Sequence, residues 1–145
     1  MTKFALGLVA FSTLLASPAL GANAEELSVP TPVDFRDVRT KTDAIIERLK
    51  TGAIEETITD VAKENPLLLE RRSDLQSLIN QFESVTQTYG AIEDCSPWEQ
   101  SYKSRLRITT TYICQHRDSL IMWEFQTDRL SRGWIVSNLR FDGTF

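Results

Sequence analysis

Apolar residues change their spacing once along the chain, and that change divides it in two. Up to Gly90 they recur every three or four positions, the period of a helix with one covered face. Phe35, Val38, Ile45 and Leu49 define a first helix, with Asp34 as N-cap and Gly52 as its stop. Ile54, Ile58, Val61 and Ala62 define a second, ended at Asn65-Pro66 because the residue before a proline resists the helical region. Leu75, Leu78, Ile79, Phe82, Val85 and Tyr89 line one face of a third. It starts either at Ser73, as a cap, or nearer Leu67, and it leaves through Gly90.

After Gly90 the period falls to two. Leu106, Ile108, Thr110, Tyr112 and Cys114 alternate with Arg105, Arg107, Thr109, Thr111 and Ile113. Ile121, Trp123 and Phe125 alternate with Met122 and Glu124, and Ile135, Leu139 and Phe141 with Val136, Asn138 and Arg140. Turn residues at Arg117-Asp118-Ser119 and across 128–133 separate these runs. The pattern predicts strands near 92–102, 105–116, 120–128 and 134–142, joined by short connections into an antiparallel meander. A sheet with one apolar face must be covered, and the helical stripes supply the cover. The expected fold is a single α+β domain over 34–145, with three N-terminal helices packed on one face of a four-stranded antiparallel meander.

The first 24 residues read differently. Lys3 is followed by the uncharged run Phe4 to Ala16, and Ala22-Asn23-Ala24 has the small-x-small pattern of a signal peptidase site. This predicts a signal peptide over 1–24, cleavage near Ala24, and a periplasmic or secreted product. The apolar run is shorter than the roughly 20 residues that span a bilayer, and no later segment is apolar enough to do so. Residues 25–33, with Pro30 and Pro32, read as an extended lead-in.

Export places Cys95 and Cys114 in an oxidising compartment, where pairing is the default. If the first hairpin turns at Lys103 to Leu106, opposed residue numbers sum to about 209. Cys95 and Cys114 then face each other, which predicts a disulfide. Their spacing is unlike the Cys-x-x-Cys of redox catalysts.

Composition narrows function mainly by exclusion. At 145 residues, 41% hydrophobic and 25% charged, the chain has the make-up of one globular domain, not of a fibrous or disordered protein. A net charge of −4 lacks the basic footprint of nucleic-acid binding. One His and two Cys are too few for a zinc or iron–sulfur site, so no metal and no cofactor is expected. Neither a Gly-x-Ser-x-Gly elbow nor a glycine-rich phosphate loop occurs.

His116 is the single histidine and reads as an exposed turn residue. The competing reading makes it a base oriented by Asp118 or by Glu124, which the expected register sets opposite Tyr112. Tyr89, Trp98, Tyr112 and Trp123, with His116 and Glu124, form a candidate pocket between helices and sheet; core packing competes for the same aromatics. Ile135, Leu139, Phe141 and Phe145 share one parity, as in the last strand of outer-membrane barrels. Four strands fall short of the eight a barrel needs.

Tyr89-Gly90, Tyr112, Trp123-Glu124-Phe125, Gly133-Trp134 and Phe141-Asp142 together resemble a group of small exported bacterial proteins of unknown function, over about Thr42 to Asp142. The chain departs from that pattern at Ser119 and Leu120, where a Pro often opens the Trp-bearing strand, and at Thr127-Asp128, where a Tyr follows it. The cysteine pair is not part of it. The resemblance implies a roll similar to nuclear-transport-factor-like or cystatin-like folds, a scaffold that carries many functions and transfers no catalytic residue. The reading that follows is an exported accessory protein, non-catalytic, that binds a small apolar ligand or a cell-envelope partner. Its alternatives are a small enzyme with a helix–sheet cavity using His116 and a nearby carboxylate, and a structural module of the envelope.

Overall fold

In the computed structural model, which describes residues 29–143, helix α1 runs Pro32–Lys50, α2 Ile54–Lys63, α3 Pro66–Glu70 and α4 Arg72–Tyr89. Four strands follow, β1 Ile92–Ser104, β2 Arg107–His116, β3 Leu120–Leu130 and β4 Gly133–Asp142, paired antiparallel in chain order. The fold is thus α+β, helices first and a four-stranded antiparallel sheet second. The leader read over 1–24 and the terminal Phe145 lie outside the described residues.

The start of α1 differs from the expected one. Thr31, not Asp34, is the N-cap, and Pro32 sits in the first helical turn, where its missing N–H is no loss. The helix therefore begins inside the segment read as extended. Asp34 closes a capping box instead: its Oδ2 accepts from the Thr31 backbone N–H at 2.9 Å and from the Thr31 hydroxyl at 2.8 Å. Its Oδ1 accepts from Arg129 at 2.5 Å and from the Trp134 indole at 3.2 Å. Burial of Asp34 works to raise its pKa. The Thr31 bonds, the Trp134 bond and the Arg129 charge outweigh it and hold the carboxyl below its ordinary value.

The third predicted helix is two elements. The backbone breaks at Arg71 (φ −96°, ψ 62°), so α3 is a short helix of five residues and α4 starts at Arg72 without a side-chain cap. Ser73 lies inside α4 and does not cap it. At the other end Gly90 takes φ +87°.

The meander is close to the one predicted. Cys95 and Cys114 are register partners and form a disulfide, within a stretch where Asp94 to Pro97 pair as expected. Irregularities on either side shift the ladder, so the hairpin closes at Ser104 and Arg107 around a two-residue turn. In the second hairpin Tyr112 pairs with Trp123, not with Glu124. The cause is the turn: His116 N–H donates to the Ser119 carbonyl at 2.8 Å, leaving a two-residue loop at Arg117-Asp118 where three were expected. In β4 a bulge between the partners of Gln126 and Thr127 reverses the parity. Val136 thereby joins Leu139 and Phe141 on the core side.

Inward residues of β2 and β3, Ile108, Tyr112, Cys114, Ile121, Trp123 and Phe125, are buried. Phe82 of α4 lies 4.5 Å from Trp123 and 5.3 Å from Phe141, ring centre to ring centre. The other face of the sheet carries cross-strand ion pairs, Arg107 with Asp128 through two bonds and Glu124 with Arg140 at 2.8 Å.

The bridge between Cys95 and Cys114 closes a loop of about 20 residues, which the chain-entropy argument values at roughly 3 kcal/mol. Reduction should lower stability by about 2–4 kcal/mol without loss of the fold. Denaturation curves with and without reductant measure this, and thiol labelling of protein produced in an oxidising compartment should find no free cysteine. Two labelled thiols would overturn the register.

Candidate functional site

Strand parity, more than residue type, decides where the predicted site residues go. Tyr112, His116 and Trp123 all point into the core. His116 is not an exposed turn residue: it is the last residue of β2, on the same face as Tyr112 and Cys114, and is 1% exposed. Its ring stacks on Trp123, 6.0 Å between centres and 5° between planes. Tyr89 is half-buried where α4 ends. Trp98 sits at an irregularity of β1 and is 72% exposed, and Glu124 faces the opposite side of the sheet, paired with Arg140. Three of the six therefore share one part of the core, and Trp98 and Glu124 lie elsewhere.

The geometry around His116 is that of a fastener. Its Nδ1 lies 2.8 Å from the Gly90 carbonyl, an acceptor only, so Nδ1 carries the proton. Arg117 N–H donates to Ala91 and Asp118 N–H to Tyr89, so three consecutive residues tie the end of α4 to the β2–β3 turn. The acids that could orient a catalytic histidine are engaged with arginines, Asp118 with Arg117 and Glu124 with Arg140. His116 Nε2 and Trp123 Nε1 are buried without a protein hydrogen-bond partner.

Tyr112 belongs to a second polar cluster. Its hydroxyl donates to Asp43 at 2.6 Å and lies 2.7 Å from the Thr42 hydroxyl, while Arg39 reaches Asp43 at 2.8 Å and stands over the Tyr112 ring. Burial, reinforced by the bond to Asp43, pushes the phenol above its ordinary pKa. The cluster fixes α1 to β2.

Concavity lies in another place. Between the helices and β4 is a cleft of about 320 Å³. Ile45 and Leu49 of α1, Ile58 and Val61 of α2, Leu68 of α3, Leu75 and Leu78 of α4, and Val136 and Leu139 of β4 form its apolar walls. Thr57, Asp74, Ser77, Gln81, Ser137 and Asn138 are its polar members. None of the six residues of the predicted pocket lines it. The cleft arises because the α4 stripe divides: Ile79, Phe82 and Val85 are buried, whereas Leu75 and Leu78, nearer the α3 junction, stay partly open. The signal in the sequence is a stripe longer than the buried part of the helix requires, whereas the aromatic residues cluster on the strands.

No described helix is long and apolar enough to cross a membrane, and no group of three or more His, Cys, Asp or Glu side chains placed to hold a metal occurs among the described residues. The disulfide is compatible with an extracellular or periplasmic location. Comparison of the chain with family models, with curated proteins and with solved structures finds no match.

Proposed function

We propose that this chain is an exported, non-catalytic binding domain that takes a small apolar ligand in the cleft between its helices and β4. The observation that carries the reading is the cleft itself: nine aliphatic side chains from five elements around a concavity of about 320 Å³. Ligand sites have this make-up, with mostly apolar walls, a few polar groups and volumes from roughly 300 Å³ upward. The leader over 1–24 and the disulfide support export. The helices act in this reading as a cover over one face of the sheet, supported by α1 against β1 and β2 and by Phe82 against Trp123 and Phe141. An enzyme built on His116 has less support, since its Nδ1 is held by a carbonyl and its ring is buried. The ion-paired outer face of the sheet likewise argues against a module that assembles through an apolar sheet surface.

Nile red, an uncharged dye that brightens in apolar sites, tests the proposal. Saturable binding at one site per chain is expected, weakened about tenfold or more by Leu78→Trp, which fills the cleft. Ile58→Trp, filling it from α2, provides a second variant, and urea midpoints verify that each remains folded. Absence of dye binding to the parent protein, or binding untouched by both folded variants, would overturn the assignment.

A further inference from the structure

The polar groups of the cleft differ in kind from its walls, and they lean one way electrically. No Lys, Arg or His lines it among the described residues. Asp74, Ser77, Gln81 and Asn138 offer one carboxylate and neutral groups rich in acceptor oxygens. Gln81 donates to the Ser77 hydroxyl at 3.2 Å, which leaves that hydroxyl's own proton and the Gln81 carbonyl to a ligand. The nearest cation to Asp74 is Arg71, 4.0 Å away, with both side chains largely in solvent. An exposed pair at that distance is worth little and leaves the carboxylate's charge in play.

A fatty-acid site needs the reverse arrangement, a cation or a set of donors where the anionic head emerges. Resting on the reading of the cleft as a binding site, we propose that its ligand is a non-anionic amphiphile: an apolar chain that ends in an amine or hydroxyl donor, with the head at Asp74, Ser77 and Asn138 and the tail among the leucines and isoleucines. Charge complementarity sets the preference. An amine head gains from Asp74, a hydroxyl head is served by the neutral oxygens, and a carboxylate head meets a like charge whose one nearby cation, Arg71, lies outside the lining and largely in solvent.

Three probes with one tail and different heads separate this proposal from the one it rests on: dodecylamine, dodecanol and dodecanoate, each below its self-association concentration at pH 8. Displacement of Nile red reads their affinities. The amine and the alcohol should bind, and dodecanoate should bind at least about fivefold more weakly at low salt, a gap that narrows as salt screens Asp74. In Asp74→Asn the three should converge to within about twofold. Dodecanoate binding as tightly as dodecanol, or an unchanged order in Asp74→Asn, would overturn the head-group assignment and leave the apolar site standing. Failure of all three probes to displace the dye would overturn the amphiphile assignment and leave the apolar site to its own dye test, whereas sedimentation showing a stable dimer that excludes the dye would overturn both and give the cleft to a second copy.

Discussion

Replacing Trp123 with alanine is expected to lower stability by about 3–5 kcal/mol, the range for removing a large buried aromatic side chain. Its ring lies 4.5 Å from Phe82, 5.4 Å from Phe141 and 6.0 Å from His116, so one substitution opens a cavity at the meeting point of α4 and three strands. Trp123→Phe should cost markedly less. It keeps an aromatic ring against Phe82 and removes an indole N–H that is buried without a protein partner, and relief from an unmet donor offsets part of the lost volume. Urea denaturation followed by far-ultraviolet circular dichroism measures both. A Trp123→Ala loss under about 1 kcal/mol would mean that α4 does not pack on this part of the sheet.

Gly90→Ala should cost roughly 2–4 kcal/mol, and Gly52→Ala about 1 kcal/mol. Both glycines hold positive φ, +87° and +83°, which an L side chain rarely adopts. They differ in surroundings: a Cβ on Gly90 would stand 2.5 Å from the Arg117 Cβ, whereas one on Gly52 meets nothing within 4 Å. The difference between the two therefore isolates the close approach of the α4 exit to the β2–β3 turn. Equal losses, read by the same denaturation curves, would show that this junction gives way easily and that the His116–Gly90 bond does not hold it.

Periodicity made the architecture legible, because a helix stripe and a strand alternation are both one-dimensional signals. The positions of Leu75 to Tyr89 and of Ile108 to Cys114 needed no tertiary information. The cysteine pairing was legible only in part: the hairpin closes at Ser104 and Arg107, and the irregularities after Pro97 and Tyr102 bring the ladder back to the register that sets Cys95 opposite Cys114. What the sequence concealed were single-residue events. A two-residue loop at Arg117-Asp118 moved Tyr112 from Glu124 to Trp123, and a bulge near Ser137 placed Val136 with Leu139. Asp34 could be recognised as a helix-start residue, but its role depends on Arg129 and Trp134, partners far along the chain. His116 closes the expected strand 105–116, so its burial turns on the exit of α4 at Gly90 packing against that strand end, which no local signal gives. Its parity with Ile108, Thr110, Tyr112 and Cys114 already pointed inward. The cleft was hardest to see, since a concavity depends on where α3 breaks from α4, and nothing at Arg71 announces a break.

Asp34 accepts hydrogen bonds from Arg129, 95 residues later, and from Trp134, 100 residues later. Those bonds join the head of the first helix to the last hairpin, while the sheet itself is built from neighbours. Such sequence-distant contacts are slow to form, so the head of α1 is expected to be fastened after the hairpins have closed over short loops, while the Tyr112 cluster holds the middle of α1 to β2. A protein clipped before Arg129 would lose both bonds at the head of α1 together with β4 and its core residues Val136, Leu139 and Phe141.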